Sequence, residues 1–238
     1  MPERTDAPGR LRVRPYDPQL PSDRQAVLQI CLKTGDAGAD ATAAFPDPRE
    51  LTERYAAPYL DLEPGLAFVA EREAQGGEDG GEVLGYVLGA SDTRSFAARF
   101  VARESSLRSA ARAEHAARML VPELAAFPAH LHVDLLPSAQ GQGGGRMLVE
   151  TLLDRLRQLG VAGVHLGVDP RNTGALAFYP RLGFAESRPG FFTRALRAVT
   201  DQPKTSDDGD MSAIRTSASS EIAPTIQSPP TQGQRSNQ

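Results

Sequence analysis

Apolar and polar positions alternate at Leu11, Arg12, Val13 and Arg14, the period-two pattern of a half-buried strand, and Pro15 ends the run. The period then changes. Ala26, Val27, Ile30 and Cys31 recur at helical spacing behind a start signal at Pro21-Ser22-Asp23, and Gly35 stops them. Small residues and two prolines make 35–48 a loop, and a short helix follows in which Leu51, Tyr55 and Tyr59 share a face and Pro58 limits the end. Apolar runs at 65–73 and 82–92, separated by "AQGGEDGG", predict an antiparallel hairpin with an exposed polar turn.

The spacing of Phe96, Phe100, Val101, Leu107, Ala111, Ala117 and Leu120 predicts one helix or two across 93–124. A strand at 130–136, a glycine-rich loop, a helix from about 143 to 159, a strand at 163–169, a short helix at 172–183 and one or two strands at 184–196 complete the pattern. This order predicts a mixed α/β sheet with helices packed on its faces, in which 130–169 forms a right-handed strand, helix, strand unit.

Composition trims the folded unit. Residues 199–238 contain no aromatic side chain and are dominated by Ser, Thr, Pro, Gln and Asp. Such a segment buries too little apolar area to offset chain entropy, so it is expected to be a disordered tail, and 1–10 is expected to behave similarly. One domain, 11–198, remains. A formal net charge of −4 supplies no chain-wide basic field for nucleic acid or an anionic membrane. The single Cys31 excludes an internal disulfide framework and a cysteine-based zinc site. No apolar run reaches the length of a membrane span and no leader is evident, so a soluble cytoplasmic protein, monomer or homodimer, is expected.

The chemistry concentrates in "HVDLLPSAQGQGGGRMLVETLLDRL", 132–156, where an apolar strand meets four glycines at 141–145 and then an amphipathic helix. A nucleotide-hydrolase loop needs Lys and Ser/Thr after its last glycine, but Arg146 and Met147 follow. The dinucleotide fingerprint needs a third Gly or Ala where Arg146 or Leu148 stands. What fits is the physics common to such loops. Glycines let backbone N–H groups converge, and a helix N-terminus adds partial positive charge, so a phosphate or pyrophosphate suits the site.

Gln140-x-x-Gly143-x-Gly145 followed by Arg146 resembles the coenzyme A pyrophosphate loop of the GNAT acetyltransferase superfamily. Asn172, Ala175, Phe178-Tyr179 and Gly183-Phe184 resemble its Asn-x-x-Ala-x-x-(Phe/Leu)-Tyr-x-x-x-Gly-Phe segment. More narrowly, "VRPYD", "ICLKTGDAG", "GYVLGASDT" and "HLHVDLLPSAQGQGGGRML" resemble bacterial homologues of the C-terminal acetyltransferase-like domain of O-GlcNAcase, with nothing resembling the glycoside hydrolase part. The resemblance implies the GNAT fold: a mostly antiparallel mixed sheet, a splayed parallel strand pair, and helices on both faces.

It further implies an N-acetyltransferase with acetyl-CoA as cosubstrate and an amine acceptor, without a metal. The backbone of Leu135 and Leu136 would follow the acetyl-pantetheine arm. Gln140, Gly141, Gly143, Gly144, Gly145 and Arg146 would hold the pyrophosphate, and Asn172 and Phe178 would flank the cofactor. Tyr179 would return a proton to the leaving thiolate, unless it is a buried tyrosine whose hydroxyl finds a backbone partner. Asn172 equally suits a helix cap and Phe178 a core position. Asp134, costly to bury unpaired, either meets the substrate amine or pairs with a neighbouring arginine or histidine. His132 shares its strand face and makes either a relay or a structural contact, whereas His130 and His165 read as structural. Asp36, Asp40 and Asp92 are candidates for a negative mouth that draws in a cationic amine. A silent acetyl-CoA-binding or protein-interaction domain is the alternative to an enzyme.

Overall fold

The N-terminal alternation places Leu11–Pro15 (β1) at one end of a seven-stranded sheet in a computed structural model that describes residues 9–44, 47–73 and 81–196. β1 lies antiparallel to Ala67–Arg72 (β2), which pairs antiparallel with Glu82–Ala90 (β3), and β3 with Ala129–Leu135 (β4). Gly163–Gly167 (β5) joins β4 in parallel. Phe191–Ala195 (β7) lies antiparallel to β5, and Ala185–Arg188 (β6) forms the far edge. The β4–β5 junction is the sheet's one parallel contact among the described residues, and it is short. Only Ala129↔Val164 and His130↔His165 pair before the two strands diverge.

Helices cover both faces. Pro21–Thr34 (α1), Pro48–Tyr55 (α2), Ala57–Leu62 (α3), Thr93–Ala102 (α4) and Ser109–Met119 (α5) enclose one core, in which Val27, Ile30, Leu51, Tyr59, Phe96 and Phe100 meet Tyr86 and Leu88 of the sheet. On the other face Gly144–Gln158 (α6) buries Leu148, Leu152, Leu153 and Leu156 completely, and Thr173–Arg181 (α7) adds Tyr179. Each of those leucines contributes roughly 2 kcal/mol of burial, so the helix that follows the glycine loop is rigidly held. The polar half of β1 also has a task. Arg14 bridges Asp23 Oδ2 at 2.6 Å and Glu71 Oε2 at 2.8 Å, which fastens α1 to the sheet edge and neutralises two buried carboxylates.

The expected elements differ from this in detail. Pro58 does not end a helix: the chain breaks at Ala56 and Pro58 lies in the first turn of α3, where its missing N–H costs no hydrogen bond. The span 93–124 divides into α4, α5 and a 3-10 turn, Pro122–Ala125. Val101 and Leu120, expected on the apolar face, are exposed. Arg10, expected in a disordered end, accepts a hydrogen bond from Glu73 N and so extends the β1–β2 pairing. The remainder of the expected N-terminal segment, 1–8, most of the hairpin turn and the tail 199–238 lie outside the described residues.

Candidate active site

Where β4 and β5 part, no backbone partner among the described residues fills the gap, and a cleft of about 400 Å³ opens. Strand alternation distributes its walls. His130, His132 and Asp134 point to the α1–α3 side, while Leu131 and Leu135 join the core beneath α6. Asp134, His132, Cys31 and Tyr55 line one side of the cleft, and Tyr179 and Asn172 of the α7 region line the other. The structure therefore brings Asp134 and Tyr179, expected from distant segments, around one space.

Asp134 has neither an arginine nor a histidine partner among the described residues. Its Oδ2 accepts a hydrogen bond of 2.6 Å from the Tyr86 hydroxyl, directly opposite on β3. Burial raises its pKa, and the Tyr86 bond offsets part of that rise. Tyr179 packs edge-on against Phe178 and Phe184. Its hydroxyl has no partner among the described residues and is not sealed from solvent, so it faces the cleft rather than a backbone group. Burial first, and the charge of Asp134 second, push the Tyr179 phenol up, which keeps it protonated at neutral pH. Cys31 also reaches the cleft; burial and Asp134 push its thiol to about 12, so it is no thiolate nucleophile.

At the glycine loop, Gly141 and Gly143 have φ of 74° and 82°, left-handed values that favour glycine. Gly144 and Gly145 are small for a different reason: a Cβ on the first would lie 3.0 Å from Leu135 Cδ2, and one on the second 3.3 Å from Phe178 Cζ. The loop is thus pressed onto β4 and α7. No backbone N–H from Gly141 through Arg146 has an acceptor among the described residues, while Met147 N begins the helical ladder by donating to Gly143 O. That is an unfilled set of donors at the positive end of α6.

Several expected contacts take another form. Both backbone groups of Leu136 are occupied, its N–H by Leu84 O at 2.8 Å because the β3–β4 pairing runs on past the strand end, and its C=O by Ala139 N at 2.9 Å in the 3-10 turn that follows. Leu136 is therefore not an open rail for a ligand arm. Gln140 Nε2 donates to Leu135 O at 3.1 Å and braces the loop from within. Arg146 spends its guanidinium on Glu150 and on Arg181 O, which ties α6 to the end of α7. Asn172 caps α7, its Oδ1 accepting from Ala175 N at 3.0 Å, and this leaves only its Nδ2 for other contacts.

The negative mouth does not form. Asp36 pairs with Arg171, Asp40 with Lys33, and Asp92 caps α4 through Ser95 N. His165 donates Nδ1–H to Phe127 O and stacks on Phe191, and it does not line the cleft, as a structural reading expects. Tyr59, Tyr86 and Thr93, which orient the cleft's polar groups, are the residues that sequence reasoning passed over. They read as ordinary core or turn positions, and a buried tyrosine's need for a hydroxyl partner is the one signal that pointed to the first two. Among the described residues no group of three or more His, Cys, Asp or Glu side chains is arranged to hold a metal ion. No helix among them is long and apolar enough to cross a membrane.

Residues 38–184 match the family model of the "Acetyltransferase (GNAT) family". The protein in the crystal structure of SsHAT is 43% identical, with a TM-score of 0.67, over 79% of this chain and 99% of that one. Over 51 residues, 21% of this chain and 34% of the relative, the sequence is 47% identical to the [ribosomal protein bS18]-alanine N-acetyltransferase of Escherichia coli (strain K12). Over 53 residues, 22% of this chain and 18% of the relative, it is 45% identical to the mycothiol acetyltransferase of Nocardia farcinica (strain IFM 10152). The matches to these curated relatives thus span about a third of their length or less. With the family model covering more than half of the sequence, and with a splayed parallel strand pair beside a glycine-rich helix start, the chain belongs to the GNAT acetyltransferase family.

Proposed function

We propose that this protein is an acetyl-CoA-dependent N-acetyltransferase that acts on a primary amine by direct attack. The observation that carries the reading is the cleft at the β4–β5 divergence, with Asp134 on one wall and the free hydroxyl of Tyr179 on the other. The unfilled N–H groups from Gly141 to Arg146 suit the pyrophosphate of coenzyme A, because they combine converging donors with a helix N-terminus. Phe178, set against Gly145, flanks that cradle, and the backbone edge of β4 beyond His130 is where an acyl-pantetheine arm fits. Acetyl-CoA supplies the acyl group as a thioester.

In this reading the acceptor attacks as the neutral amine, its lone pair bonding to the acetyl carbon, and Asp134 takes the one proton that the nitrogen then gives up, directly or through water, and passes it to solvent. The unpaired backbone edge of β4 stabilises the negative charge that develops on the carbonyl oxygen. Tyr179 donates its proton to the departing sulfur when the carbon–sulfur bond breaks, and recovers one from solvent. The finer placement, beside bacterial homologues of the O-GlcNAcase acetyltransferase-like domain, is supported by the sequence segments that carry that likeness.

The test has two readouts. Acetyl-CoA should raise the melting temperature by mass action, and thiol release should follow in a panel containing an alkyl diamine, an amino sugar and a peptide with free amines. A thermal shift without thiol release across the panel identifies a silent binder. No thermal shift at saturating acetyl-CoA removes the reading altogether.

A further inference from the structure

A chain of four hydrogen bonds runs from the surface of the cleft into the core, and its protons can be assigned one at a time. Thr93 Oγ1 lies 2.6 Å from Pro128 O and 2.8 Å from His130 Nδ1. Two oxygens at 2.6 Å require a proton between them, and a carbonyl has none to give, so the threonine hydroxyl points at Pro128. His130 Nδ1 must therefore carry the proton in its own contact. His130 is buried among Tyr59, Phe96 and His132 with no carboxylate in contact, and it is neutral. Its Nε2 is then an acceptor, filled by the Tyr59 hydroxyl at 2.8 Å. With that single hydroxyl proton used, the Tyr59 oxygen accepts from His132 Nε2–H at 2.9 Å. The last member of the relay, also neutral, is left with an unprotonated Nδ1.

That nitrogen faces open space. His132 lines the cleft, Nδ1 has no partner among the described residues, and it is not among the buried atoms left unsatisfied. It sits two positions before Asp134 on the same strand face, about 7 Å along β4. Among the described residues no Lys or Arg lines the cleft. An Nδ1 lone pair and a carboxylate side by side, without a cation, offer hydrogen-bond acceptors to a group that carries several N–H donors.

We propose that His132 is a further acceptor-binding residue: its Nδ1, kept unprotonated by the relay through Tyr59, His130 and Thr93 to Pro128, receives an N–H of the attacking amine beside Asp134. This rests on the acetyl-transfer reading and deepens it by naming the substrate class as amines with at least two N–H bonds, since one proton goes to Asp134 and another is held by His132.

Nitrogen-15 imidazole spectra of the full chain read the tautomers without any ligand: His132 should show protonated Nε2 and bare Nδ1, and His130 the reverse. Bare Nε2 at His132 overturns the proposal. Among the panel amines that give thiol release, His132→Gln keeps a donor for Tyr59 but moves its acceptor oxygen away from the Nδ1 position, so KM for the amine should rise about tenfold while the acetyl-CoA thermal shift is unchanged. His132→Asn, which returns an acceptor near the Nδ1 position, should recover part of that loss. An unchanged amine KM in His132→Gln overturns this proposal alone, whereas absence of thiol release from every amine removes the acetyl-transfer reading and this proposal with it.

Discussion

Tyr86 and Asp134 face each other across the β3–β4 pair, and the tyrosine hydroxyl donates its only proton to Asp134 Oδ2 at 2.6 Å. The bond favours the ionised carboxylate, against the burial that raises its pKa. In Tyr86→Phe that counterweight is gone and the Asp134 pKa rises further. A base works only when deprotonated, so the acidic limb of kcat/KM should move to higher pH. Activity should fall about tenfold for each pH unit below the new limb and approach the parent value well above it. A pH profile of thiol release checks this; an unmoved acidic limb means that another group supplies the base.

Tyr179→Phe separates acid catalysis from structure. The hydroxyl has no partner among the described residues, and the ring makes the packing contacts with Phe178, Phe184 and Phe192, which phenylalanine keeps. Stability and the acetyl-CoA thermal shift should stay near the parent, while kcat falls by about a hundredfold, the lower range for a general acid. A large drop in melting temperature without ligand, measured by calorimetry, would instead assign the residue to the core.

The glycine loop tests geometry one position at a time. Gly143→Ala introduces a side chain at φ 82°, where its Cβ meets nothing, so its effect is backbone strain of about 1 kcal/mol. Gly145→Val places branched carbon against the Phe178 ring, already 3.3 Å from a Cβ there, and should push α7 and the loop apart. Titration with acetyl-CoA should show a modest loss of affinity for the first and a loss of at least tenfold for the second. Equal affinities would place the pyrophosphate elsewhere.

The order of elements and the strand, glycine loop, helix unit were legible in the sequence because they follow from periodicity and glycine placement. The alternation at 11–14, the helical leucines after Gly143 and the Asn172-to-Phe184 segment all sit where their patterns expect them. What stayed hidden depends on pairing between segments far apart in the chain. Nothing local marks Tyr86 as the partner of Asp134, 48 positions away, or Tyr59 as the link between His130 and His132. The same limit explains the acidic mouth. Asp36, Asp40 and Asp92 looked free in a loop, and only the fold brings Arg171 to Asp36 and turns Asp92 into a cap.

The buried histidines set the pH dependence of stability. Burial first, then the charges of His115 and His165, lowers His132 to about 4, and burial drives His130 well below its ordinary value. Unfolded, both titrate near 6.5, so between pH 6.5 and about 4 the unfolded chain binds more protons than the folded one. Stability therefore falls as pH falls through that window, with a slope approaching about 1.4 kcal/mol per pH unit for each histidine that stays neutral. The carboxylates act elsewhere. Asp23 and Glu71, held below their ordinary values by Arg14, lose their contribution only as pH drops below about 4. Asp134, raised by burial, has the opposite sign and opposes the histidines at the acidic end. Urea midpoints should thus decline steadily from pH 7 to pH 5, before the carboxylates enter. His132→Gln, which has no proton to gain, should make that decline shallower by one histidine's share, the slope from His130 remaining, while Tyr179→Phe leaves it intact; a parent profile that is level from pH 7 to pH 5 would show that His130 and His132 are charged in the folded protein, against the relay that ends at Pro128.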